Sequence, residues 1–530
     1  MSLLRSSVVV GSLTLASRVL GFVRDILIAA ELGAGPVADA FFVAFKLPNF
    51  FRRLFAEGAF NAAFVPLFTG KLSVDGQAKA KGFAEETLSV LLVILLGFLL
   101  LAEMAMPALM HVLAPGFAAT PERFDMAVEF TRITFPYLLF ISLVSLQGAI
   151  LNALGRFGAA AGTPIILNLT LIAALIWLVP LLPTAGHALA WGVAAAGALQ
   201  FVWLVFSCAR AGMSLRLLRP RITPEVKRLL KLAMPAAIGA GAVQVNLVVD
   251  VVIASFLAPG AISFLYYADR INELPIGVVG VALGTALLPL LTRQLRTGDA
   301  AGAADSQNRA IEFALFLTLP CMAAFFAISG PIISILFERG AVGAAEARST
   351  ALALAAYGFG LPAYVLIKVL APCFFAREDT ATPVRIGLWA MALNTAFNLI
   401  LIWPFDYVGI ALATALAAWI NAGLLAYRLK EKSFLSFDAR LMRRLPRMLL
   451  ITTVMGGALV LAADVLAPWL AAPALPIRGR RSRCSLPGRW HLSRPGRASG
   501  LAILPGFVGG SGRETRARGP ADAVRPTWSG

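Results

Sequence analysis

Cysteine, histidine and charge are all scarce in this chain of 530 residues, which has four cysteines, three histidines and 14% charged residues. Cys208, Cys321, Cys373 and Cys484 stand far apart, without CxxC or Cys/His spacing, so the sequence offers neither a disulfide framework nor a zinc site, and the thiols read as inert. His111, His187 and His491 neighbour neither one another nor a paired carboxylate, which argues against a metal centre or a His-based triad. No Walker A, HExxH or GxSxG motif occurs, so nothing points to an enzyme. Polar stretches are short as well. With 59% hydrophobic residues and a mean hydropathy of +0.81, the chain is far more apolar than soluble domains. Such a composition makes it an all-α polytopic membrane protein, because a helix of about 20 apolar residues is what crosses a hydrocarbon core.

Apolar runs bounded by charges or Gly/Pro turns predict helices near 8–30, 36–62, 84–112, 127–153, 159–182 and 187–209. A second set follows near 229–257, 263–291, 309–336, 349–374, 383–403 and 406–428, with a thirteenth near 444–470. The first run resembles a signal peptide, but Arg18 and Arg24 interrupt it, so it reads as a retained helix. Lysine and arginine collect in the loops after even-numbered helices, notably Lys71 to Lys81, Arg210 to Lys231, Arg293 to Arg309 and Arg428 to Arg447. The positive-inside rule then puts the N-terminus in the cytoplasm. The basic stretch between the two sets also suits anionic headgroups of membrane lipids.

A period of 223 residues relates GAFNAAFVPLFTGKL (58–72) to VALGTALLPLLTRQL (281–295), including Pro66/Pro289 and Thr69/Thr292. The expected organisation is a six-helix lobe over 1–212, a basic linker over 213–232, a second, parallel-repeat lobe over 233–430 and an extra helix within 431–475. Parallel repeats are a transporter design with the site between them. Residues 476–530 differ in kind: eleven arginines face only Glu514 and Asp522, which supplies half of the net charge of +18. Rich in Gly and Pro and without lysine, this tail is expected to be disordered or an out-of-frame product. The basic charge therefore gives no reason to expect nucleic acid.

The feature that demands explanation is charge inside apolar runs. A charge near the bilayer centre costs about 2.5–3.5 kcal/mol on insertion scales, so it faces the bundle interior and usually has a function. Helices 1 and 2 carry Arg18, Arg24, Asp25, Asp39, Lys46, Arg52, Arg53 and Glu57, with Asn49 among them. The second half answers with Asp269, Arg270 and Glu273. If these converge, Arg18, Arg24, Arg52 and Arg270 outnumber Asp39 and Glu273, and an excess of arginine suits a phosphate-bearing substrate. Local ion pairing or interfacial anchoring is the competing explanation for any single residue.

The stretch from GSLTLASRVLGFVRDILIAAELGAGPVADAFFVAFKLPNFFRR through AFVPLF, followed by YYADRINELPIGVVGVALGTALLPLL, resembles the MurJ (MviN) family of lipid II flippases, whose superfamily includes multidrug and toxin extrusion transporters. The likeness runs from about residue 5 to about residue 470. It implies two lobes around a cationic cavity, with Arg18, Arg24, Arg52 and Arg270 binding substrate and Asp39 and Glu273 as acidic or gating residues. It further implies a monomer in the bacterial inner membrane that carries undecaprenyl-diphosphate-linked peptidoglycan precursor across the bilayer and works beside the cell-wall synthesis machinery. Two departures stand out. The fourteenth helix of the family is replaced by the arginine-rich tail, and in the region where some members bind sodium this chain has Asp250, Asn394, Asn398 and Thr414, with an amide at Asn398 in place of a carboxylate. No cofactor is expected, and coupling to sodium, protons or membrane potential stays open. The alternative within the superfamily is an exporter of another polyprenyl-diphosphate saccharide or of drugs, although a drug exporter calls for an acidic or aromatic cavity.

Overall fold

Every regular element among the described residues, 3–52 and 60–470 of this computed structural model, is helical. Arg53, Glu57 and the tail from 476 onward lie outside the described residues. In chain order the helices are α1 (Leu3–Leu32), α2 (Pro36–Phe51), α3 (Phe60–Val74), α4 (Gly76–Met104), α5 (Met106–Leu113), α6 (Pro121–Thr134), α7 (Tyr137–Ala153), α8 (Phe157–Ala161), α9 (Thr163–Trp177) and α10 (Ala185–Arg210). They continue with α11 (Pro224–Ser255), α12 (Ala261–Pro275), α13 (Val281–Arg296), α14 (Ala300–Phe337), α15 (Ala344–Phe375), α16 (Ala381–Glu431) and α17 (Ala439–Leu470). Among the described residues, nine helical segments are long and apolar enough to cross a membrane; α1 and α2, where the embedded charges sit, are not among them. The protein is a multi-pass membrane protein. Helix is the form that satisfies the backbone within each segment where lipid offers no hydrogen bonds.

Interruptions fall where the backbone chemistry asks for them. Pro136 follows α6 and starts α7. Pro275 closes α12 ahead of a π-helical turn, Ile276–Gly280. In α16 the chain reverses at Asp406, whose φ of 52° is left-handed, and it does so tightly enough that a Cβ on Gly409 would stand 2.2 Å from the Leu401 carbonyl oxygen. The expected helices 383–403 and 406–428 are thus the two arms of α16.

The apolar core positions the site. One cluster joins both halves of the chain, with Ile28, Phe41, Phe42 and Phe130 packed together with Tyr267, Phe337 and Leu354. Two others stay apart. Phe64, Phe68, Phe83 and Leu146 form one with the start of α11, while Leu291, Leu315, Val369 and Phe374 form the other with Leu429 and Leu441. The halves share a core at one end, and at the end bearing the basic linker each keeps its own.

Candidate functional site

Where the halves share a core, backbone meets backbone along a seam. The Ala341 N–H donates to the Ala30 carbonyl at 2.7 Å, and the Tyr267 hydroxyl donates to the Gly33 carbonyl at 2.6 Å. Gly116, in the short 3-10 turn Pro115–Ala119, lies so close to Ser255 that an added Cβ would stand 2.4 Å from its carbonyl, and its N–H donates to the Ser255 hydroxyl at 3.0 Å.

Asp39 ties this seam together. Wholly buried in the first turn of α2, it accepts from Arg123 Nη2 at 2.6 Å, from the Gly260 N–H at 2.7 Å, and from the N–H and hydroxyl of Ser263 at 2.9 and 2.6 Å. Arg123 belongs to α6, and its guanidinium also lies over the Phe117 ring at 3.8 Å; Gly260 and Ser263 begin α12. The Asp39 oxygens thus take hydrogen bonds from both halves of the chain.

Deeper along α1, Arg24 grips the adjacent Asp25 through Nε at 3.0 Å and Nη2 at 2.7 Å, and donates through Nη1 to Asn168 Oδ1 of α9 at 2.8 Å. Asn168 in turn donates to the Ser17 carbonyl at 2.8 Å, which braces α1 against α9. On the facing helix, the Tyr266 hydroxyl approaches Asp25 at 3.5 Å, its ring stacks on Phe42 at 3.9 Å, and the Arg270 guanidinium lies 4.7 Å from its centroid. Arg270 also pairs with half-exposed Glu273 at 3.0 Å. A continuous array, Arg24, Asp25, Tyr266, Arg270 and Glu273, therefore crosses from α1 to α12. Arg18, one turn and a half before Arg24, is exposed and rests against Gly277 in the π turn, where a Cβ would meet its Nη1 at 2.4 Å.

Arg52 stands away from this array. Its Nε donates to Asn49 Oδ1 at 3.1 Å, while Asn49 donates to the Phe45 carbonyl at 2.8 Å. Both line a cavity of about 350 Å³ inside the first half, together with Asn61, Ser145, Asn152 and Gln200. Lys46 is exposed on α2, and Asp269 is half-buried on α12 beside Arg270. The four residues singled out for sodium do come together: Asn398 Nδ2 donates to Asp250 Oδ1 at 2.7 Å and to Asn394 Oδ1 at 3.3 Å, and Asn394 donates to the Thr414 hydroxyl at 3.3 Å. Asn398 Oδ1 is buried without a hydrogen-bond partner, and among the described residues no group of three or more Cys, His, Asp or Glu gathers for a metal ion.

Residues 28–477 match the family model described as lipid II flippase MurJ. The chain belongs to the MurJ family. A probable lipid II flippase MurJ from Rhizobium tropici is 48% identical over 466 residues, which cover 87% of each chain. A solved lipid II flippase MurJ in an inward closed conformation superposes with a TM-score of 0.72 at 26% identity, covering 87% of this chain and all of that one. An inward-facing multidrug transporter of the MATE family superposes with a TM-score of 0.66 at 14% identity over 81% of this chain, a likeness of fold alone. These three are flippases or transporters. Within this member of the family, sequence reasoning missed Arg123, Asn168, Ser263 and Tyr266. Tyr266 opens the YYADRINE stretch that carries the family resemblance and Ser263 lies three residues before it, so a signal was present for the tyrosine. Arg123 could have been found as a lone arginine in a loop that the charge pattern leaves otherwise poor in basic residues.

Proposed function

We propose that this chain flips lipid II, the undecaprenyl-diphosphate-linked peptidoglycan precursor, from the cytoplasmic to the periplasmic leaflet of the bacterial inner membrane. The observation that carries the reading is the array from Arg24 to Glu273. Two arginines from different halves are held, partly desolvated, by carboxylates one and three residues along the same helix, where a diphosphate can exchange places with Asp25 and Glu273. Arginine stays ionised and offers paired donors to phosphate oxygens, so it offsets the desolvation of a double negative charge. Arg18 at the π turn extends the cationic surface toward the exposed end, and the polyprenyl chain remains in lipid.

The seam acts as the periplasmic gate and the basic end as the cytoplasmic one, with the N-terminus in the cytoplasm. The two six-helix lobes rock about the array, so that the headgroup enters from the basic end and leaves when Asp39 releases Gly260 and Ser263. For energy coupling we assign the Asp250, Asn394, Asn398 and Thr414 cluster. A carboxylate, a hydroxyl and an unpaired amide oxygen are donors that a sodium ion accepts, and the carboxylate can also take a proton. The protein acts as a monomer that hands its substrate to the cell-wall synthesis machinery.

Translocation of labelled lipid II in vesicles reconstituted with the full chain tests the assignment. Arg24→Gln and Arg270→Gln are expected to lower the rate about tenfold or more, the scale of one lost charge-assisted contact, with folded protein retained. Wild-type rates in both variants would overturn it. Replacing a sodium gradient by a potassium gradient at fixed pH tests the coupling cluster, and an unchanged rate would remove sodium from the scheme.

A further inference from the structure

A second arginine cluster lies outside the array, at the mouth of a cavity of about 800 Å³ between α13, α14 and α17. Its walls are apolar, and Leu290, Phe313, Phe316 and Ile451 stay exposed on them. The mouth holds Arg309, Arg440, Arg444 and Arg447. Three carboxylates answer these four arginines. Glu312, nearly buried, contacts Arg309, Arg440 and Arg444, and Arg309 also reaches Asp305 at 3.3 Å and Asp438. Among the described residues Arg447 makes no ion pair, so one positive charge is left at the rim.

The placement of these cations is unfavourable by itself. Arg440, Arg444 and Arg447 occupy the first turns of α17, whose N-terminus carries partial positive charge and is met by Asp438 accepting from the Leu441 N–H at 2.7 Å, while Arg309 comes from α14. An apolar chamber with an excess of arginine at a helix start is complementary to an amphiphile that carries one anionic headgroup. The size falls within the range of small-molecule sites.

We infer that this cavity binds an anionic glycerophospholipid of the surrounding leaflet, with its phosphate at Arg444 and Arg447 and its acyl chain along Phe313 and Phe316. A substrate lipid whose diphosphate sits at Arg24 and Arg270 would leave these arginines unfilled, so the site takes a separate molecule. That molecule fastens α17 to α13 and α14, where α17 otherwise packs mainly on α14.

Native mass spectrometry of the purified full chain with dioleoylphosphatidylglycerol or dioleoylphosphatidylcholine tests the inference without any transport step. Phosphatidylglycerol adducts are expected to survive on the wild type, to be about tenfold weaker in Arg447→Gln, and to vanish when Ala286→Trp fills the chamber. Arg24→Gln should keep them. Equal retention of phosphatidylcholine, wild-type retention in R447Q, or loss of the adduct in R24Q would each overturn the site, the last by moving the lipid to the central array. Because Arg447 holds no ion pair, R447Q keeps the test decisive if A286W fails to fold.

Discussion

Asp39 carries the clearest consequence at the scale of single residues. Its four donors come from three residues, Arg123 on α6 and Gly260 and Ser263 at the start of α12, and among the described residues Arg123 has no other carboxylate partner. Removing one member of a buried pair strands the other charge, which costs about 3–5 kcal/mol where this has been measured in proteins. Asp39→Ala is therefore expected to lower the unfolding midpoint in detergent sharply, and Asp39→Ala with Arg123→Leu should recover much of the loss. Additive losses in that cycle would contradict the pairing. Legibility divides along the same line. Arg24 and Arg270 stand out in sequence because a charge in an apolar run is expensive. Asn168 and Tyr266 do not, since an amide or phenol in such a run is ordinary and their partners lie 144 and 241 residues away in the chain. Arg52 was legible as a charge, yet its separation from the array depends on how α2 packs against α7 and α10, which no spacing encodes.

Among the elements, α16 and the turn before it are the most exposed to single changes. Ala at position 409 would meet the Leu401 carbonyl, so Gly409→Ala is expected to lower the unfolding midpoint by several degrees, whereas Asp406→Gly should be tolerated because glycine accepts the left-handed φ. Asp379, in the turn between α15 and α16, accepts from the Lys432 ammonium at 2.7 Å and from the Thr382 N–H at 3.0 Å and hydroxyl at 2.8 Å. Lys432 above all, then Thr382, holds its carboxyl down at about 2, below the unfolded value of about 3.9. The contribution is therefore complete above about pH 4 and is lost as pH falls through 2. The difference in unfolding midpoint between wild type and Asp379→Asn should stay flat from pH 7 to 5 and shrink below pH 4. Helix positions were legible from apolar runs, and the gap between the expected helices 383–403 and 406–428 marked the reversal of α16. The break between α4 and α5 at Ala105 was marked by Pro107 in the first turn of α5, yet the expected helix 84–112 ran through it because the apolar run continues on both sides. The π turn after Pro275 was hidden, for one residue's change of hydrogen-bond register leaves composition untouched.

For the molecule as a whole, the joined core at the seam and the divided cores at the basic end describe one state of a carrier. Cysteines placed at Ala30 and Ala341, whose backbones already hydrogen-bond, should form a disulfide under oxidation that stops lipid II translocation and reverses with reductant. Continued transport by the cross-linked protein would mean that the seam does not open. Multi-pass class and family were legible along most of the chain, because hydropathy and the ADRINE region survive without structure. The division of the core was not, since it depends on which apolar faces meet. The grip of Arg24 on Asp25 also bears on speed. A cation already satisfied by its own neighbour gives an incoming phosphate only the difference between two anions. Such a site trades tightness for exchange, and a carrier that must surrender its cargo on the far side gains turnover from holding it loosely.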